Sequence, residues 1–223
     1  MRPVNKGKSP SVNFSKYMDA EPYLEKRLGR YCSYCEMPIF NAPEVEHIEA
    51  KSRGGAECDW SNMLLSCKYC NTRKGAKVAA GTRGEYLWPD VDDTFHVFSY
   101  TEGIPKLNEN YILEEMHDED MWRKAENLFQ LVKLDHVPES LKDRDYRFRA
   151  RNEAYGLAKT MFDMWTNINQ NMPELMEKEI EIIVEAARGK GFFSCWMEVF
   201  KNELAVKKAL IHAFPGTREE YCL

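Results

Sequence analysis

Long apolar runs are missing: no stretch of about 18 apolar residues occurs in the 223 positions, so no transmembrane helix is expected. The opening "MRPVNKGKSPSVNF" carries positive charge with no apolar stretch behind it, which argues against a secretory signal. Internal repeats and low-complexity segments are absent too, so the chain reads as distinct modules rather than an array. An intracellular, cytoplasmic protein is therefore expected, with its seven cysteines reduced or metal-bound rather than disulfide-paired. A 43% hydrophobic and 12% aromatic content is enough to build a core, which excludes wholesale disorder.

The charge is unevenly spread. Residues 1–80 hold 13 Lys+Arg against 9 Asp+Glu, while the remainder holds 18 against 27, giving the overall −5. A basic N-terminal part and an acidic C-terminal part point to a nucleic-acid-facing half and a different partner for the other half. The hint is weak, because a zinc ion held by four thiolates counts as −2 and would cut the N-terminal excess to about +2.

Periodicity divides the chain into four parts. Residues 1–30 form a polar, irregular arm followed by a helix in "SKYMDAEPYLEKRLGR", with Tyr23, Leu24 and Leu28 on one face and Gly29 as its stop. A cysteine-bracketed module spans 31–80. Residues 81–110 connect it onward, and "DTFHVFSYTEGIPKLNE" predicts a hairpin around Glu102-Gly103. From 111 to 223 the pattern is helical. Trp122, Ala125, Leu128, Phe129 and Val132 recur at helical spacing, Pro173 opens a later helix that Gly189 closes, and "CWMEVFKNELAVKKALIHAF" continues the pattern. The fold class expected is α+β, mostly α.

"YCSYCEM" and "LSCKYCN" supply Cys32, Cys35, Cys67 and Cys70. Two C-x-x-C knuckles read as one tetrahedral four-thiolate zinc site, and the full thiolate set leaves no open position, so the ion is structural. A single knuckle would leave a redox pair open; two together favour zinc. Cys58, Cys195 and Cys222 lack such a neighbour and read as ordinary thiols. The 31 residues between Cys35 and Cys67 exceed a plain zinc ribbon, so something with its own structure lies between the knuckles. That segment contains "VEHIEAKSRGGAECDWSNMLL".

Together these stretches resemble the zinc-bearing HNH endonuclease motif. The resemblance implies a ββα-metal core, a hairpin and a helix with a divalent ion between them. It assigns His47 as the general base, and Glu46 and Asn71 as ligands of a catalytic Mg²⁺ or Mn²⁺. Asn62 becomes the central asparagine that bonds backbone and ties the hairpin to the next segment. Glu46 departs modestly from the pattern, since Asp or His is commoner there. The wider chain, with "PVNKGKSP", "YLWP" (86–89) and an acidic helical C-terminus, looks like the PtuB nucleases of Septu and retron-associated anti-phage systems. That likeness implies a PtuA-like ABC-type ATPase partner, with a retron reverse transcriptase and its nucleic acid as a further associate. The substrate would be DNA or a structured RNA such as tRNA.

The residue types suit the chemistry. A histidine titrating near neutrality suits activation of water, and hard oxygen donors suit a divalent ion that relieves charge on phosphate. Strand alternation would send Glu46 and His47 to opposite sides unless the strand ends there, and Gly54 and Gly55 make such a bend plausible. Lys51, Arg53, Arg73 and Lys74 bracket the site, and of these Arg53 and Lys74 are the candidate phosphate contacts. In "DRDYRFRAR", Arg144, Arg147 and Arg151 share a helical face. A solvated basic face over a buried Tyr or Phe is favoured there over a phosphate track. His96, His117, His136 and His212 read as surface or packing residues. The rival function is a non-catalytic zinc module that binds nucleic acid or scaffolds a complex, with no need for Glu46, His47 and Asn71 as a set.

Overall fold

The computed structural model describes residues 1–140 and 142–223. It is a mostly helical α+β protein with two small two-stranded sheets. A first helix, α1 (Glu21–Leu28), buries Leu24 and Leu28 and ends at Gly29, as its apolar spacing predicts. Strand β1 (Glu44–His47) pairs antiparallel with β2 (Met63–Ser66), placing His47 opposite Met63 and Glu46 opposite Leu64. Helix α2 (Lys68–Lys74) follows at once, started by Cys67, whose sulfur accepts from the Cys70 amide at 3.4 Å. This is a ββα unit. Period-two alternation puts Glu44 and Glu46 on one face of β1, and α2 meets them with Asn71 and Lys74, one helical turn apart.

The expected hairpin is present but minimal: β3 (Phe98–Ser99) pairs with β4 (Lys106–Leu107). Helix α3 (Glu119–Val132) opens on Asp118, whose carboxylate accepts from the Met121 amide at 2.8 Å, and buries Ala125, Leu128, Phe129 and Val132. Then come α4 (Arg147–Asn171), α5 (Met176–Lys190), α6 (Phe193–Val199) and α7 (Leu204–Ala213). Among the described residues, no helix is long and apolar enough to cross a membrane.

Three expectations need correction here. The N-terminal arm is not free. Met1, Arg2, Val4 and Lys6 are buried, Val4 bridges Thr217, and the Arg2 guanidinium donates to the carbonyls of Leu28 and Pro215 at 2.7 and 2.8 Å. Helix α5 closes at Gly191 rather than Gly189. Its φ is +68°, and an added Cβ would stand 2.7 Å from the Glu36 carbonyl oxygen, so the chain turns where only glycine fits. The last helical run breaks into α6 and α7, because Phe200 is drawn inward against Phe162 and the Glu203 carboxylate takes the Trp165 indole N–H at 2.9 Å.

Two apolar cores result. The larger joins the ββα unit, the N-terminal segment, the hairpin and α3; the smaller joins α4 to α7. Glu36, in the turn after Cys35, links them. Buried, with a φ of +65°, it accepts from the Arg2 amide (2.5 Å), the Ser194 amide (2.8 Å) and the Ser194 hydroxyl (2.6 Å).

Candidate active site and metal centre

The four knuckle cysteines converge. The Sγ atoms of Cys32, Cys35, Cys67 and Cys70 all lie within 4.8 Å of one another, and Cys35 and Cys67 stand 3.6 Å apart. Zinc–thiolate bonds of about 2.3 Å in a tetrahedron require sulfur separations of about 3.8 Å, so the set fits zinc. Hydrogen bonding to Cys32 and Cys35 pushes the Cys67 thiol up, and burial does the same at Cys70. At Cys32 burial pulls upward, but hydrogen bonds from Cys35, Cys67 and Cys70 outweigh it and hold that thiol well below its ordinary value. Four buried sulfurs this close together are a donor set for a cation.

Arg147 gives further support to the sulfur cluster. It is 1% exposed, with one guanidinium N–H on the Cys70 sulfur at 3.3 Å, others on the Val132 and Lys133 carbonyls at 2.9 and 3.0 Å, and a 2.7 Å ion pair to Asp145. Arg151 is equally buried and donates to the Leu134 carbonyl at 3.0 Å. Neither the solvated face nor the phosphate track expected for this segment is therefore correct for Arg147 and Arg151. Of the aromatics expected beneath that face, Tyr146 is instead exposed. These two arginines tie the start of α4 to the end of α3, and Arg147 ties it to the zinc knuckle as well.

The second site lies beside β1. Glu46, His47 and Asn71 line one pocket of about 320 Å³, together with Tyr17, Lys51 and Gly75. His47 ends β1, and its half-exposed ring packs on Tyr17 with centroids 4.8 Å apart. Its Nε2 lies 2.8 Å from the Glu57 carbonyl oxygen. A carbonyl only accepts, so Nε2 carries the proton and Nδ1 keeps its lone pair. Loop geometry makes that bond. Asn62 spans the turn, accepting from the Glu49 amide (2.8 Å) and donating to the carbonyls of Glu49 (3.0 Å) and Ala56 (2.9 Å). Gly55 allows the close pass, since a Cβ there would lie 2.0 Å from the Glu49 carbonyl oxygen. Asn62 is thus a backbone clamp, and it does not line the pocket.

Asn71 donates through Nδ2 to the Glu44 carboxylate at 2.7 Å, which leaves Oδ1 as its unused acceptor. Glu46 is 1% exposed; the Tyr34 hydroxyl donates to one oxygen at 2.5 Å, and the Lys74 ammonium sits 2.6 Å from the other. Lys74, also 1% exposed, further donates to the His47 carbonyl at 2.5 Å. The expectation that Lys74 contacts phosphate is wrong for this arrangement: its charge is spent inside, on Glu46 and on the end of β1. Arg53 stays exposed, outside the pocket lining, with its guanidinium on the carbonyls of Ala76 and Lys77, both at 3.2 Å. Hard oxygen donors for a divalent ion are present in Asn71 Oδ1 and the carboxylates of Glu44 and Glu46. Of these, Glu44 went unremarked in the sequence, although β-alternation from Glu46 marks it. Tyr17 and the Glu57 carbonyl carry no local sequence signal.

The segments "PVNKGK" and "YLWPD" meet behind this site. The Val4 amide donates to the Pro89 carbonyl at 2.6 Å, and Lys6 pairs with Asp90 at 2.8 Å while donating to the carbonyls of Ser61 and Met63 at 3.1 and 2.8 Å. Met63 is the register partner of His47, so Lys6 buttresses the strand that carries the histidine.

Residues 32–77 match the family model described as HNH endonuclease, and they contain all four cysteines, Glu46, His47, Asn62 and Asn71. No curated protein matches the chain, nor does any solved structure. The HNH domain and the four-sulfur cluster together support a metal-dependent nuclease.

Proposed function

We propose that this chain is an endonuclease that hydrolyses phosphodiester bonds, with His47 as its general base. The supporting observation is the 2.8 Å contact of Nε2 with the Glu57 carbonyl, which assigns the proton to Nε2 and leaves Nδ1 as the acceptor of a histidine that lines the pocket. Nδ1 takes a proton from water as its oxygen bonds to phosphorus, and the opposite P–O bond breaks, with the leaving oxygen protonated from solvent. Asn71, with Glu44 and Glu46, would hold a Mg²⁺ or Mn²⁺ ion, which when bound supplies charge relief at the phosphate. Four thiolates would hold one structural zinc. DNA and a structured RNA such as tRNA are both candidate substrates.

The finer reading is a PtuB-like effector of a Septu or retron-associated defence system, acting with an ABC-type ATPase. It rests on the resemblance of "PVNKGKSP", "YLWP" and the acidic helical C-terminus to that family. Affinity capture from the native host should recover an ATPase of that class; capture that repeatedly lacks one sinks the partner assignment.

The direct experiment follows cleavage of plasmid DNA, total RNA and tRNA in Mg²⁺ and in Mn²⁺, for the chain alone and with its captured partner. Loss of a general base is expected to lower the rate by about 10²–10⁴-fold in His47→Ala. Wild-type cleavage by His47→Ala would overturn the assignment.

A further inference from the structure

A cleft of about 720 Å³ lies beside α2, lined by residues 37–42 and by Lys68, Tyr69 and Thr72. We propose that it holds an unpaired nucleotide of the substrate strand, next to the phosphate that is cut; this rests on the nuclease reading above.

Continuity with the catalytic pocket is the first argument. Residues 37–42 wall the cleft, 43–45 a second depression, and 45–47 the catalytic pocket. Helix α2 forms the facing wall throughout, with Lys68, Tyr69 and Thr72 at the cleft and Asn71 at both other depressions. A strand whose phosphate lies between His47 and Asn71 would follow residues 47 to 37 beside α2 to reach the cleft.

Its chemistry is the second argument. The floor is apolar and aromatic, made by Ile39, Phe40 and Tyr69. Phe40 is 45% exposed, supported edge-on by Tyr31 with centroids 6.1 Å apart, so one face of its ring is open. On the rim the acids already have partners: Asp143 is hydrogen-bonded by His136 and Asp145 is ion-paired with Arg147, each at 2.7 Å. Lys68 and Arg144 are exposed and, among the described residues, form no ion pair. An open aromatic face with uncompensated cations beside it fits a unit that is planar and anionic, which is a nucleotide. A base within a duplex is stacked and cannot reach such a floor, so the substrate carries an unpaired base beside the cut. The cleft volume is within the range of about 300–1,000 Å³ that encloses small ligands.

The test uses the full chain carrying His47→Ala, which binds without cutting, and fluorescence anisotropy of a labelled 12-nucleotide single strand and its blunt duplex. The single strand is expected to bind at least roughly tenfold tighter. Adding Phe40→Ala, or Lys68→Gln with Arg144→Gln, should erase that margin, while Phe40→Tyr should keep it. Zinc content and far-UV dichroism confirm that each variant is folded, as expected for exposed positions. Equal affinity for the two probes, no binding of either, or cleft variants that bind like the background each overturn the proposal. If the wild-type chain cuts nothing yet the single strand still binds through Phe40, the cleft stands and the nuclease reading falls. If cutting depends on His47 but binding ignores Phe40, Lys68 and Arg144, the cleft proposal falls alone.

Discussion

At the residue scale, the pair "EH" divides its labour by burial. His47 sits at the strand end with one ring nitrogen fixed and one free, which is what a base needs. Glu46 is enclosed at the edge of the same pocket, with Tyr34 on one oxygen and Lys74 on the other. Removing one member of a buried ion pair leaves the other charge uncompensated and costs about 3–5 kcal/mol, whereas replacing both is close to neutral. Glu46→Gln and Lys74→Met are thus each expected to destabilise by roughly that amount, while the double variant regains most of it. Urea unfolding of the three variants forms the cycle; strictly additive losses would mean the pair is not coupled. The same contact bears on metal binding, because a divalent ion on Glu46 must share its carboxylate with an ammonium, whereas Glu44 offers Asn71 a carboxylate free of any lysine.

At the scale of elements, the local features were legible and the distant ones were not. The clamp role of Asn62, whose partner Glu49 lies 13 positions away, came only through the family resemblance, while each C-x-x-C and the start of α2 follow from residues within a few positions of one another. The same holds for α1 and α3, whose apolar spacing is unbroken. Lys74 was misread because its sequence context, a basic helix end before Gly75, is that of a solvated lysine; only the packing of α2 on β1 buries it. Tyr17 lies 30 positions from His47, and no periodicity joins them. The knuckles also predict behaviour. The elements around them are short, and β1 and β2 have four residues each, so the module depends on metal for its folding energy. Chelation, or Cys32→Ser, is expected to melt it, seen as loss of about one zinc per chain together with the protection of the β1–β2 amides from hydrogen exchange. A folded, zinc-free protein would refute the structural role.

At the scale of the whole molecule, sequence suggests a nuclease module followed by a separate helical part, yet the contacts run through both. Arg147, at the first position of α4, reaches a zinc-knuckle sulfur and the end of α3, and Glu36, beside the other knuckle, reaches Ser194 in α6. Neither link was readable. "DRDYRFRAR" shows a basic helical face whose burial depends on a cysteine 77 positions away, and Glu36 is an ordinary acid until the chain returns at Ser194. A helical region joined this way should not unfold on its own. Arg147→Met is therefore expected to lower the melting temperature of both regions together and to speed zinc release to a chelator. The driving cost is about 3–5 kcal/mol from the stranded Asp145 carboxylate. Here the sign of the pH effect is fixed. Burial works against ionisation of Asp145, but bonding to Arg147 outweighs it and holds the carboxyl below its ordinary value. Its contribution in the wild type is then complete above about pH 4 and is lost as pH falls through the lowered value. Scanning calorimetry from pH 7 downward separates the cases: Arg147→Met and wild type should differ fully at pH 7, and the gap should narrow as pH falls through the lowered Asp145 value. Two independent transitions in the wild type, with only the later one moved by Arg147→Met, would show that the helical part stands apart from the nuclease module after all.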